Sequence, residues 1–82
     1  MSEAQELKLQ CMTMAVAELE LLMNIIGDLG YIGYKVSLCR LKGLSYGRCS
    51  RNFKIKKSLA QYYWETCQQK GYDLHLKRIF HL

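Results

Sequence analysis

Proline is absent from this 82-residue chain, and so are internal repeats and low-complexity stretches. Nothing reads as a linker, so the expectation is one domain, near the lower size at which a single core is stable without a staple. Paired cysteines are missing too. Cys11, Cys39, Cys49 and Cys67 are scattered with no C-x-x-C arrangement, and His75 and His81 lie far along the chain. Zinc needs ligands that converge, and fingers usually show this as closely spaced pairs. No secretory signal reads before the cysteines. Free, buried thiols in a reducing cytoplasm are therefore expected, with no metal and no cofactor. The chain also lacks a carboxylate pair, a spaced Cys–His nucleophile and a phosphate-cradling glycine loop, so an enzyme is not expected.

A long apolar run is missing as well. Residues 11–26 come closest, but Thr13, Glu18, Glu20 and Asn24 interrupt them, and the run falls short of the ~20 residues of a membrane span. An interfacial helix would carry Lys and Arg on its polar face, whereas this one carries acids. No membrane partner is expected.

The most informative absence is that of acidic residues from positions 29–64. That stretch holds eight bases (Lys35, Arg40, Lys42, Arg48, Arg51, Lys54, Lys56 and Lys57) and no acid, a net of +8. Residues 1–28 hold five acids against Lys8, a net of −4, and residues 65–82 add +1. A field of this sign attracts phosphates, because neutralising them releases condensed counterions. A solvated basic face with no partner is the bland alternative, and charge alone would favour it.

Half of the residues are apolar, with six Tyr, two Phe and one Trp available to fill a core. Their spacing is helical throughout. Ser2 and Gln5 form a capping-box pattern, which opens a long amphipathic helix expected over residues 3–27 with Leu7, Cys11, Met14, Leu19, Leu22, Met23 and Ile26 on a wide apolar face. Leu9, Val16, Leu21 and Ile25 fall outside that stripe. A helix apolar around so much of its circumference must bury two sides, so a homodimer through this helix is expected, the alternative being that the domain itself covers these side chains. Gly27, Gly30 and Gly33 mark a break around residues 27–32. A helix over 33–42 follows, with Gly43 as its stop.

Residues 44–65, LSYGRCSRNFKIKKSLAQYYWE, read as two short helices across a tight turn. Ser45 reads as an N-cap, and Tyr46, Cys49, Ser50 and Phe53 point to a core. Ile55 is one apolar plug between Lys54 and Lys56. Leu59, Ala60, Tyr63, Trp64 and Cys67 then recur at helical spacing, to a stop at Gly71. Ser50 and Ala60 are small where two crossing helices must approach. A last helix over 73–80, capped by Asp73, carries Leu74, Leu76, Ile79 and Phe80. The alternation of Tyr72, Leu74 and Leu76 leaves a strand open, but it would have no partner strand.

Through Gly43-Leu44-Ser45-Tyr46, Ser50, Phe53, Ile55, Lys57-Ser58, Ala60 and Tyr63, this stretch resembles the DNA-binding helix-turn-helix superfamily. It is most similar to sigma-factor region 4 and related transposase or phage-regulator modules. Residues 22–41 look like the helix preceding the motif, so roughly half the chain is covered. Lys54 stands where the turn often has Gly, Cys49 where an apolar residue is usual, and Gly47 where a helix former would be better by roughly 1 kcal/mol.

The resemblance implies an all-α small helical domain with a helix-turn-helix over 45–70 that binds double-stranded DNA, as a transcriptional regulator of bacterial or mobile-element type. The second motif helix would enter the major groove with Lys56, Lys57, Ser58, Gln61 and Tyr62 toward base edges. Arg40, Lys42, Ser45, Tyr46, Arg48 and Arg51 would contact phosphates. Each of these is otherwise an ordinary surface residue. Two other readings stand beside it. One is a protein-interaction module whose apolar first helix docks on a larger complex such as RNA polymerase. The other is an RNA binder that stacks bases on Tyr46, Tyr62 and Trp64.

Overall fold

The chain enters regular structure through a reciprocal cap. Ser2 N donates to Gln5 Oε1 at 3.0 Å and Gln5 N donates to Ser2 Oγ at 3.3 Å, the capping box that the two residue types suggest. The computed structural model describes residues 2–5 and 14–82, and among these all regular structure is helical. After a helical turn at residues 3–5, the elements are α1 (Val16–Leu41), α2 (Tyr46–Phe53), α3 (Lys57–Gln69) and α4 (Tyr72–Phe80).

The first helix differs from its expected bounds. Ala15 is extended, at φ −66° and ψ 153°, and makes no side-chain cap, so α1 starts at Val16 and does not run unbroken from residue 3. Expected apolar positions at Leu7, Leu9 and Cys11 lie outside the described residues. The break falls at Gly30, whose φ of 77° and ψ of 164° are non-helical and interrupt α1. At that backbone angle an L side chain is strained, and glycine is not. Helical geometry then resumes to Leu41.

The second half of α1 is the hub of the packing. Successive helical residues turn by about 100°, so Val36 lies nearly opposite both Tyr34 and Leu38. All three are buried. On one side Tyr34 and Leu38 join Leu22, Ile25, Cys67 and Leu76, with Trp64, Tyr72 and Phe80 packed against them. On the other, Val36 joins Cys49 and Ala60, with Ile32, Cys39, Ile55 and Tyr63 around them. Each fully buried aliphatic side chain contributes about 1.5–3 kcal/mol. The hydroxyl of Ser37, enclosed between these layers, donates to Gly33 O at 2.9 Å, which removes the cost of an unpaired buried polar group.

Two further features fix α3 and α4. Gly71 takes a left-handed φ of 72° as the N-cap of α4, so Asp73, expected as the cap, sits in the first turn instead. There its charge complements the helix dipole. Asp28 on α1 accepts a hydrogen bond from Lys70 Nζ at 2.9 Å and one from the Tyr72 hydroxyl. These bonds tie the first half of α1 to the α3–α4 turn.

Candidate nucleic-acid interface

The sequence determines α2 and its turn locally. Ser45 is extended and its Oγ accepts from Arg48 N at 3.2 Å, which satisfies one of the free donors of the first turn. Cys49 and Ser50 face inward, while Arg48, Arg51 and Asn52 are exposed. Ser50 Oγ donates back to Gly47 O at 2.9 Å, so this small residue is buried without an orphaned hydroxyl. The helix stops because Lys54 turns left-handed, at φ 54° and ψ 45°. Ile55 N then donates to Ser50 O at 3.0 Å, and Leu59 N and Ala60 N donate to Lys56 O at 3.0 and 3.1 Å. Half-buried, Ile55 packs on the Val36–Cys49–Ala60 cluster. A turn of three residues thus joins the two helices.

On α3 the inward side is divided. Ala60 and Tyr63 pack on the α2 side of the hub, Trp64 and Cys67 on the other. The opposite side presents Lys57, Ser58, Gln61, Tyr62 and Glu65, all exposed, with Lys56 at the N-cap. Four of the five expected base-edge residues therefore share one exposed face in the first half of α3, and the fifth, Lys56, is its N-cap. Tyr62 is 61% exposed, with its ring 6.0 Å from that of Tyr63. Gln61 Nε2 donates to Glu65 Oε1 at 3.0 Å.

The electrostatics at the start of α3 run against the usual rule. A helix N-terminus carries partial positive charge and is stabilised by acids. Here the first turn has no acid and Lys56 has no side-chain cap bond. Lys56 and Lys57 instead put two bases at this end, and Lys54, the C-cap of α2, stands two residues before it. A base at a helix N-terminus costs roughly 0.3–1 kcal/mol at low salt. Departures of this kind concentrate at functional sites, and an incoming anion would reverse the sign of the effect.

The expected phosphate contacts fare unequally. Lys42, Ser45, Arg48 and Arg51 are exposed, whereas Tyr46 and Arg40 are partly buried. Arg40 is held by internal contacts. Its guanidinium lies 4.2 Å from the Tyr46 ring centroid and 5.8 Å from that of Trp64, and Nη1 donates to Leu44 O at 2.7 Å. Those contacts cross-link α1, α2 and α3, so Arg40 braces the scaffold beside the basic stretch. Conversely, Lys54 falls outside the expected contacts, because its place in the sequence marks only a turn. Its exposure next to Lys56 brings it into the same charged end, and its position in the acid-free stretch is the signal that points there.

Among the described residues no group of three or more His, Cys, Asp or Glu side chains could hold a metal ion. No described helix is long and apolar enough to cross a membrane. Burial pushes the Cys49 and Cys67 thiols upward in pKa, which suits packing more than nucleophilic chemistry. Comparison with protein-family models, with curated proteins and with solved structures finds no match to this chain.

Proposed function

We propose that this chain is a small helix-turn-helix DNA-binding protein of the transcription-regulator type, with α3 entering the major groove. The observation that carries the reading is the start of α3. Lys56 and Lys57 stand at a helix N-terminus that no acid compensates, with exposed Lys54 two residues before them, and the exposed face behind offers Ser58, Gln61 and Tyr62. Phosphates neutralise the first feature, and base edges match the second. Gln61 suits adenine, Lys57 can reach guanine N7 and O6, and Tyr62 can pack on a thymine methyl. Phosphate contacts come from Lys42, Arg48, Arg51 and Lys54, with α2 crossing the backbone. The reading extends to self-association of α1. Val16 and Met23, seven residues apart on one helical face, are 72% and 63% exposed. Light scattering that gives a monomer mass at micromolar concentration would remove this second element.

Fluorescence anisotropy of a labelled random-sequence duplex, titrated with the protein at several salt concentrations, tests the reading. The expected log–log slope of affinity against salt is roughly −4 to −7, as several lysines and arginines displace counterions. Absence of binding at low salt would overturn the reading.

A further inference from the structure

Glu65 is the sole acid between Asp28 and Asp73, and it lies on the exposed face of α3 that the proposed function places in the groove. A carboxylate there is repelled by the phosphates that flank a groove. Its position is nevertheless specific. It stands one helical turn after Gln61, and its Oε1 accepts from Gln61 Nε2 at 3.0 Å.

The chemistry of that bond constrains Gln61. An ionised carboxylate only accepts, so the amino end of the Gln61 amide must face Glu65, and the carbonyl end must face elsewhere. One of the two N–H groups of Nε2 is then committed, leaving one N–H and the carbonyl oxygen. Adenine presents an acceptor at N7 beside a donor at N6, which that remaining pair matches. Guanine presents two acceptors, N7 and O6. An unrestrained Gln can offer guanine both of its N–H groups, but Gln61 bonded to Glu65 has only one to give, and its carbonyl oxygen would oppose O6.

We propose that Glu65 is a positioning residue that restricts Gln61 to adenine, exchanging some affinity for all duplexes against discrimination of adenine from guanine at one position of the site. The inference rests on the DNA-binding reading and adds to it the residue that restricts Gln61 to the adenine it suits.

The experiment begins with a preferred duplex selected from a randomised library. Each adenine is then replaced in turn by 7-deazaadenine, which lacks the N7 acceptor, or by guanine with its paired cytosine. For the wild-type protein, one adenine should stand out, with a loss of roughly 5- to 150-fold on either change, the range for one bidentate contact. Glu65→Ala should bind a random duplex more tightly than wild type and reduce the adenine-to-guanine preference at that position to within about threefold. In a Gln61→Ala background, Glu65→Ala should still tighten random-duplex binding but leave base preference unchanged. A preference that survives Glu65→Ala but not Gln61→Ala would overturn the positioning role. Salt-dependent duplex binding with no adenine that stands out would overturn the inference and leave the DNA reading intact, whereas no duplex binding at all would overturn both.

Discussion

A Cβ built on Gly33 would stand 2.7 Å from Cδ1 of Tyr63 and 3.0 Å from Cβ of Leu29. The backbone of α1 therefore meets the ring of an α3 residue at a point where no side chain fits. This contact sets how closely the helix bearing the basic face approaches the hub.

Gly33→Ala should destabilise the protein. Overpacking costs about 1–3 kcal/mol, and the better helix propensity of Ala returns only ~1 kcal/mol. Gly27 lies on the same helix with nothing within 4 Å of such a Cβ, so Gly27→Ala should stabilise by up to ~1 kcal/mol. Urea denaturation midpoints should move in opposite directions for the two variants. Equal shifts of the same sign would remove the close approach as the cause.

Lys54→Gly should separate stability from binding. Lys54 holds a left-handed backbone, at φ 54°, which costs an L-residue roughly 1–2 kcal/mol and glycine little. Glycine's greater freedom in the unfolded chain offsets about 0.5–1 kcal/mol. A net gain of roughly 0.5–1 kcal/mol is expected in thermal or urea unfolding. If the ammonium group meets a phosphate, the salt slope of duplex binding falls by about 1 at the same time. A more stable variant with an unchanged slope would place Lys54 outside the interface.

How much of this is legible in the sequence depends on the range of the forces involved. Ser45, Ser2 with Gln5, and the small Ser50 and Ala60 act through backbone neighbours or one helix crossing, and residue type alone indicates them. The three glycines of α1 show the limit. Gly27, Gly30 and Gly33 look alike as punctuation, yet of these only Gly30 takes a positive φ and only Gly33 meets another helix, because tertiary packing decides both. The surroundings of Arg40 are hidden for a similar reason. Its charge alone suggests a phosphate contact, and only the fold brings the rings of Tyr46 and Trp64, from two other helices, against its guanidinium. The start of α1 is hidden because Ala15 carries no capping side chain to mark it.

Thiol reactivity should follow burial. Cys49 and Cys67 are fully buried, and desolvation raises both thiols above their ordinary pKa, with the neighbouring Cys39 also raising that of Cys49. Cys39 is only partly buried. In a Cys11→Ser background, native protein should release about one equivalent from a disulfide reagent quickly, by Cys39. The remaining two should react only as the protein opens, and all three at once in denaturant. Three fast thiols in the native protein would contradict the packing of α2 and α3 on the hub.

The bonds at Asp28 predict a stability profile with two limbs. The Tyr72 hydroxyl and then the Lys70 ammonium hold the Asp28 carboxyl below its ordinary value, and Asp28 in turn raises both partners. A depressed carboxyl contributes stability that is present above its unfolded value, about 4, and lost as pH falls through the lower folded value. Raised Lys70 and Tyr72 contribute stability that is complete below their unfolded values, about 10, and lost as pH rises through the higher folded ones. The stability difference between wild type and Asp28→Asn, from urea midpoints, should therefore be flat from about pH 5 to 9 and shrink on either side. Because the Asp28 and Lys70 side chains are 45% and 47% exposed, added salt should shrink the plateau as well. A difference that stays constant from about pH 2 to pH 7 would show that these bonds do not hold α1 to the α3–α4 turn in solution.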